Sequence, residues 1–297
     1  MNIFFSAALS LAAGPFTMIG PPPTSPPPGD DAIVIQGTRP SDHQVRDFVR
    51  ALTAVPSYGQ ISRFHAAVCP VAMGLPQIQN DSIVDRMRAV AAAAKMKVAP
   101  AKCTPNAFVI VAPDKAAAIK ELEKRFPAYL SQMSARQVRD LTDSPEPAAA
   151  WQVKGLLTSD GLEAAKAAGH DYYTVKSADN PSHIKANSKP TFTASVVVID
   201  VDAAKGLTLT QLADYAALRT FADIAPARVT GLGVPTILGA LTASQDKPIP
   251  VTLTYWDLGF LKSLYATDNS YLATYQRGDM EQVLSKTVET SDNDPSK

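Results

Sequence analysis

The two cysteines are the most reactive side chains in this chain of 297 residues. Cys69 and Cys103 are the only thiols, and in an oxidising compartment such a pair is expected to form a disulfide. The alternative is a nucleophilic thiolate, because His65 lies four residues before Cys69 and on a helix would share one face with it. No third group that would orient the histidine is evident, and oxidation would consume the thiol. The sequence therefore predicts a disulfide between Cys69 and Cys103.

The histidines form no local metal-binding motif. The chain contains His43, His65, His170 and His183, and no two of them have the spacing of a zinc helix. His170, Asp171 and His183 share the segment 161–190 and could meet there, which gives an alternative site assembled from dispersed residues. Scattered histidines on a surface loop are the commoner case. The sequence therefore predicts no bound metal ion and no cofactor.

Other catalytic signatures are absent from the sequence. It contains no G-x-S-x-G elbow, no Walker loop and no G-x-G-x-x-G motif. Asp200 and Asp202 would lie on one face at the end of an apolar run, an arrangement that acid–base chemistry can use. At the end of a strand, however, such a pair is more typical of a turn. We therefore predict no catalytic residue.

The amino-terminal segment has the pattern of an export signal. Residues 1–13 are uncharged and mostly apolar, and residues 14–31 are rich in proline. The apolar run is too short for a membrane span, which needs about 20 residues, and small residues at Ala12 and Ala13 suit a cleavage site. No lysine or arginine precedes Arg39, so an uncleaved anchor or a mis-assigned start is the alternative. We predict a signal peptide, a proline-rich linker and a periplasmic or extracellular protein.

Charge and composition indicate which partners the chain would not have. Lysine plus arginine and aspartate plus glutamate both number 28, so no net charge attracts nucleic acid or an anionic membrane. Apolar residues make up 46% of the chain, which is ordinary for a globular protein. No segment after the leader is long and apolar enough to span a bilayer. The expected partner is a protein or another component of the cell envelope.

Capping patterns predict where four helices begin. In each, a hydroxyl N-cap stands three residues before an acceptor, as in a capping box: Ser41 with Gln44, Ser134 with Gln137, Thr208 with Gln211, and Thr254 with Asp257. Apolar residues follow at helical spacing, so these helices are expected to be amphipathic. Two further helices are predicted, one around Ile83 and one from Pro113. Residues 285–297 lack an apolar stripe and are expected to be a disordered tail.

Apolar runs rich in β-branched residues predict the strands. Residues 107–112 and 192–201 suit central strands that are buried on both faces. Residues 150–157 alternate more, as a strand near an edge would, and residues 33–35 suit a short first strand. The segment 161–190 has little periodicity and is predicted to be a long loop.

Helices and strands are mixed along the chain without a strict βαβ order. The predicted fold class is therefore α+β, with a mixed β-sheet packed against several capped amphipathic helices. We expect one globular domain with an N-terminal α/β part at 32–147 and a C-terminal α+β part at 148–284.

The C-terminal part also carries a resemblance. It contains, in order, a strand at Val196–Ile199, a helix at Gln211–Leu218, a turn at Pro235–Leu238, and Leu253–Leu258 running on to Tyr265. Ala148–Leu284 thereby resembles a family of uncharacterised exported bacterial proteins whose order is similar to the catalytic half of zincin metallopeptidases. Where zincins have H-E-x-x-H, this chain reads Gln211-Leu212-Ala213-Asp214-Tyr215. The resemblance implies a degenerate zincin-like scaffold that lacks the zinc ligands and the general base.

Two functions remain open at the level of the sequence. The first is an exported, non-catalytic binding or envelope-associated factor. The second is a hydrolase whose site is assembled around the loop 161–190, with Tyr172 and Tyr173 beside His170. The two differ in whether titratable groups converge on a pocket.

Overall fold

The computed structural model describes residues 41–53, 55–56, 58–166, 173–175, 182–242 and 249–292, with side chains described as far as residue 286. The predicted signal peptide at 1–13, the linker at 14–31 and the strand at 33–35 lie outside these residues. His170, Asp171 and Tyr172 also lie outside them, so the sequence predictions that rest on these residues stay predictions.

The described residues contain a mixed four-stranded sheet and a separate two-stranded one. The strands are β1 (Pro70–Met73), β2 (Ala107–Ala112), β3 (Ala148–Thr158), β4 (Ala165–Lys166), β5 (Tyr173–Thr174) and β6 (Ser188–Asp200). Across the larger sheet the order is β1-β2-β6-β3, with β1, β2 and β6 parallel and β3 antiparallel to β6. The α+β class, the central β2 and β6, and the edge position of β3 are therefore confirmed. The short β4 and β5 pair within the segment that was predicted to be a loop.

Seven α-helices surround the sheet in the described part of the chain. They are α1 (Asp42–Leu52), α2 (Gln77–Ala93), α3 (Lys115–Arg125), α4 (Ala135–Asp143), α5 (Leu209–Phe221), α6 (Tyr255–Ala266) and α7 (Ala273–Asp292). Both hydrogen bonds of the capping box are present at α1, α4, α5 and α6, which confirms all four predicted starts. The helix expected from Pro113 begins at Lys115 instead, because the Asp114 side chain caps it. No described helix combines the length and the apolarity that a bilayer span requires.

Helices cover both faces of the sheet. Successive side chains of a strand point to opposite faces, and β6 follows this rule. Val197 and Ile199 join the larger apolar cluster, to which α1, α2, α5, α6 and α7 contribute. Val196 and Val198 join a smaller cluster with α3 and α4 on the other face. This burial on both sides explains the near-continuous apolar sequence of β6.

Helix α5 differs from its prediction as an amphipathic helix, because every residue from Gln211 to Phe221 is buried. It packs against the sheet as well as against α2 and α6, so it has no solvent face. Its Asp214 carboxylate accepts two hydrogen bonds from Arg86 of α2, at 2.7 and 3.1 Å. Thr252 Oγ1 and the backbone N–H of Leu253 also donate to it, at 2.7 and 2.8 Å. The negative charge of Asp214 on this buried helix is thus paired with the positive charge of Arg86.

The C-terminal helix also differs from expectation. Residues 285–297 were expected to be a disordered tail, but α7 continues to Asp292. Leu284 lies against Gly259 of α6, where an added Cβ would approach Leu284 Cδ1 to 2.3 Å. Once buried Met280 and Leu284 anchor the helix, each further residue adds a backbone hydrogen bond at little cost, even without apolar contacts. Residues 293–297 lie beyond the described part.

Candidate functional site

The two cysteines form the predicted disulfide. The Cys69 and Cys103 Cα atoms lie 6.0 Å apart and the sulfurs are bonded. The bridge ties the residue before β1 to the segment that enters β2. Asn106 reinforces the same junction, because its Oδ1 accepts a hydrogen bond from the N–H of Cys69 at 2.8 Å. The alternative of a His65–Cys69 nucleophile is wrong, since the sulfur is already oxidised.

Of the other sequence candidates, His183, Asp200 and Asp202 lie among the described residues, whereas His170 and Asp171 do not. His183 lies exposed on the surface. Asp200 Oδ1 accepts the N–H of Lys115 at 2.7 Å and so holds the start of α3, while Asp202 pairs with Lys205 at 2.6 Å across a turn. Asp202 therefore has the turn role that was expected of a strand end, whereas the Asp200 side chain fixes a different element, α3. In the ranges that the structure describes, no group of three His, Cys, Asp or Glu side chains is arranged to hold a metal ion.

The three residues that the expected resemblance compares with the His, Glu and His of H-E-x-x-H have structural roles in this chain. Gln211 Oε1 completes the cap of α5, and its Nε2 donates to the carbonyl of Pro250 at 2.8 Å. Tyr215 accepts a hydrogen bond from Arg219 Nη1 at 2.6 Å, and burial raises the pKa of its phenol. Leu212 is 3% exposed in the core. None of these side chains is free to bind an ion.

The cavities of the described residues include two that could hold a ligand. The larger, about 570 Å³, is an open groove between α1 and α7 lined mainly by polar and charged side chains. The smaller, about 150 Å³, is more enclosed and lies where α5 ends. We call it the α5 cavity. Because small-molecule sites are concave and combine an apolar surface with a few polar groups, the more enclosed α5 cavity is the candidate site.

The floor of the α5 cavity is apolar. It consists of Leu52, Ile61, Ala222, Phe260 and Leu264, and each of these residues is at most 7% exposed. Phe260 and Leu264 stand four residues apart, on one face of α6. An engineered cavity of about 150 Å³ with a similar lining in another protein holds benzene. The floor therefore has room for a group about as large as one aromatic ring.

Side-chain caps fix the end of α5 beside the cavity. The last carbonyls of a helix have no hydrogen-bond donor within the helix. At the end of α5, two side chains donate to these carbonyls. Gln152 Nε2 donates to the carbonyls of Arg219 and Ala222, at 3.1 and 3.2 Å. The Tyr265 hydroxyl donates to the carbonyl of Phe221 at 2.8 Å. Burial raises the pKa of Tyr265, so this donor keeps its proton.

A hydrogen-bond network holds Ile61, one of the floor residues, from behind. Asn269 Nδ2 donates to the carbonyl of Pro190 and to His65 Nε2, both at 2.8 Å. Its Oδ1 accepts from Gln276 at 3.2 Å, and Gln276 in turn accepts the N–H of Ile61 at 2.7 Å. Because both Nδ2 hydrogens of Asn269 are used as donors, His65 Nε2 must accept. His65 is therefore neutral, with its proton on Nδ1.

The electrostatics around His65 agree with this assignment. Burial, assisted by nearby positive charges, lowers the pKa of His65 from 6.5 to about 4; these charges belong to Arg63, Lys189 and Lys97. A proton on Nε2 would oppose the Asn269 donor as well as the three cations. His65 is thus neutral near neutral pH and accepts the hydrogen bond from Asn269.

The rim of the α5 cavity consists of Ser62, Lys154, Asp223 and Arg228. Lys154 Nζ and Asp223 Oδ2 form an ion pair at 2.8 Å. In the part of the chain that the structure describes, Arg228 forms no ion pair and the Ser62 hydroxyl forms no hydrogen bond. The rim therefore presents one uncompensated guanidinium and one free hydroxyl above an apolar floor.

No family model, no curated protein and no solved structure matches this chain. The geometry alone therefore indicates what the site can do. The α5 cavity is lined by residues from several separate stretches of the chain, between Leu52 and Leu264. The cavity has no signature in the sequence, because none of these stretches contains a local motif.

Proposed function

We propose that this protein is an exported, non-catalytic binding protein, and that the α5 cavity holds its ligand. One observation supports this proposal most: an enclosed apolar floor lies beneath a rim that has charge but no reactive pair. A preformed pocket of this kind suits a small amphiphilic molecule.

The chemistry of the lining favours binding over catalysis. Nucleophilic catalysis needs a serine, cysteine or similar group beside a base that activates it. Among the described residues that line the cavity, Asp223 is the only carboxylate, and it is paired with Lys154. The same residues include no histidine and no cysteine. Ser62 therefore has no base among the residues that share the cavity with it.

Export is supported by two independent features. The apolar segment 1–13 followed by a proline-rich stretch is typical of a cleaved leader. The bonded pair Cys69–Cys103 is typical of a protein that folds in an oxidising compartment. We expect the native protein to lie outside the cytoplasm and to begin near residue 14. Amino-terminal sequencing of the fractionated protein tests this, and recovery of Met1 from the cytoplasm would contradict it.

Benzene is a suitable first probe of the cavity. At tenfold excess over its dissociation constant it should stabilise the folded state by about 1.4 kcal/mol, which corresponds to a rise in Tm of about 3–6 °C. Ala225→Phe places a ring in the cavity from its lining and should abolish the rise. Ala227→Phe is the matched control, because Ala227 is exposed two residues away and does not line the cavity.

The proposal predicts that the probe shifts Tm in the wild type and in Ala227→Phe but not in Ala225→Phe. An equal shift in all three proteins would place benzene elsewhere. Catalysis is tested with chromogenic ester, phosphate and peptide substrates. Turnover that Ala225→Phe abolishes and Ala227→Phe retains would overturn the non-catalytic part.

A further inference from the structure

The rim of the α5 cavity also indicates the charge of the ligand, an inference that rests on the proposed binding function. Lys154 and Asp223 compensate each other at 2.8 Å. Arg228 lines the same cavity, is exposed to solvent and has no acidic partner among the described residues. The rim therefore carries a single net positive charge at neutral pH.

We propose that the α5 cavity binds a small monocarboxylate whose apolar group is about as large as one aromatic ring. The apolar group would lie on the floor formed by Leu52, Ile61, Phe260 and their neighbours, and the carboxylate would face Arg228. A guanidinium matches a carboxylate because its two parallel N–H groups can donate to both oxygens. The free hydroxyl of Ser62, on the same rim, can donate a further hydrogen bond.

Size and charge both restrict this ligand class. The cavity volume of about 150 Å³ leaves no room for a second ring. A dianionic phosphate group would leave one negative charge uncompensated at a rim with a single net positive charge. An ammonium group would meet Arg228 directly and would find only Asp223, which Lys154 already occupies. A ligand with one apolar group and a head group of charge −1 fits the volume, balances the single positive charge of the rim and avoids repulsion by Arg228.

Three probes with the same ring and different head groups test the proposal. They are benzoate, benzene and benzylammonium, each titrated into the full-length protein while amide chemical shifts are recorded by NMR. We expect benzoate to bind more tightly than benzene and benzene more tightly than benzylammonium. The preference for benzoate over benzene should be roughly fivefold, the value for an exposed ion pair.

Two variants with opposite effects identify the charge that is responsible. Arg228→Gln should remove the fivefold preference for benzoate over benzene. Asp223→Asn should strengthen benzoate binding by a similar factor, because it frees Lys154 and adds a second positive charge to the rim. Arg136→Gln is the control for a general charge effect, since Arg136 is 85% exposed on α4, beyond the opposite face of the sheet.

The outcomes distinguish this inference from the proposed function. If benzene binds in the cavity but benzoate binds no better, or if Arg228→Gln and Arg136→Gln weaken benzoate equally, the carboxylate inference is overturned and the binding function stands. If none of the three probes perturbs residues of the cavity, both are overturned.

Discussion

Acidification should destabilise this protein through His65. The imidazole is half-buried, accepts a hydrogen bond from Asn269 at 2.8 Å, and has a pKa of about 4 in the folded state, compared with 6.5 for an unperturbed histidine. Above pH 6.5 it is neutral in both states and has no effect on the free energy of unfolding. Between pH 6.5 and pH 4 the unfolded state gains a proton that the folded state does not accept. Stability therefore falls as the pH falls through this interval, and the loss is complete below about pH 4.

The size of the effect follows from the pKa difference. The difference between a pKa of 6.5 in the unfolded state and about 4 in the folded state corresponds to at most about 3.4 kcal/mol in the free energy of unfolding. His65 is only half-buried, and salt screens the cations that repel its proton. We therefore expect a measurable loss of about 1–2 kcal/mol between neutral pH and about pH 4.5.

Urea denaturation of His65→Gln measures this contribution. The glutamine carries no titratable group but offers an oxygen that can accept from Asn269. The wild type should lose about 1–2 kcal/mol more than His65→Gln between about pH 7.5 and about pH 4.5. His183→Gln, at an exposed position, should behave as the wild type does. Parallel pH profiles for the wild type and His65→Gln would refute the reasoning.

Three further predictions concern stability and are measured by chemical denaturation. Replacing Cys69 and Cys103 together by serine should cost about 4 kcal/mol on the chain-entropy model, and the denatured, unreduced wild type should show no free thiol; two labelled thiols would disprove the bridge. Arg86→Met leaves the buried carboxylate of Asp214 without its cation and should lower the free energy of unfolding by about 3–5 kcal/mol. Adding Asp214→Leu should restore part of this loss. An Arg86→Met variant as stable as the wild type would contradict the prediction. Thr208→Ala should cost about 1 kcal/mol through the lost cap, whereas Thr208→Ser should retain it.

Local features of the fold could be predicted from the sequence. The four capping boxes, the strand at 107–112 and the edge strand β3 depend on residues that are close along the chain, and all are confirmed. The disulfide was predictable because each cysteine had only one possible partner. The end of α7 was not, because its last turns follow from an anchored helix and not from an apolar pattern.

Long-range packing explains what the sequence did not reveal. Helix α5 was expected to be amphipathic, yet its Asp214 is paired with Arg86, which lies 128 residues away on α2. The α5 cavity has the same origin, since its floor combines Leu52 of α1 with Phe260 of α6 and Ala222 after α5. Neither the Arg86–Asp214 pair nor the α5 cavity can be recognised from residues that are close together in the sequence. Asp214 and Arg219 are both charged residues of α5, and their neighbours along the chain do not indicate that both are buried.

The central claim, that the α5 cavity binds a small apolar group, is tested most directly by intermolecular nuclear Overhauser effects between benzene and methyl groups of the protein. If benzene binds in the α5 cavity, we expect contacts from its protons to the methyl groups of Leu52, Ile61 and Leu264, which line the cavity. We expect none to Ile78 and Ile184, which are 76% and 44% exposed elsewhere on the surface. Contacts to the exposed isoleucines alone, or no contact to any cavity methyl at saturating benzene, would contradict the account.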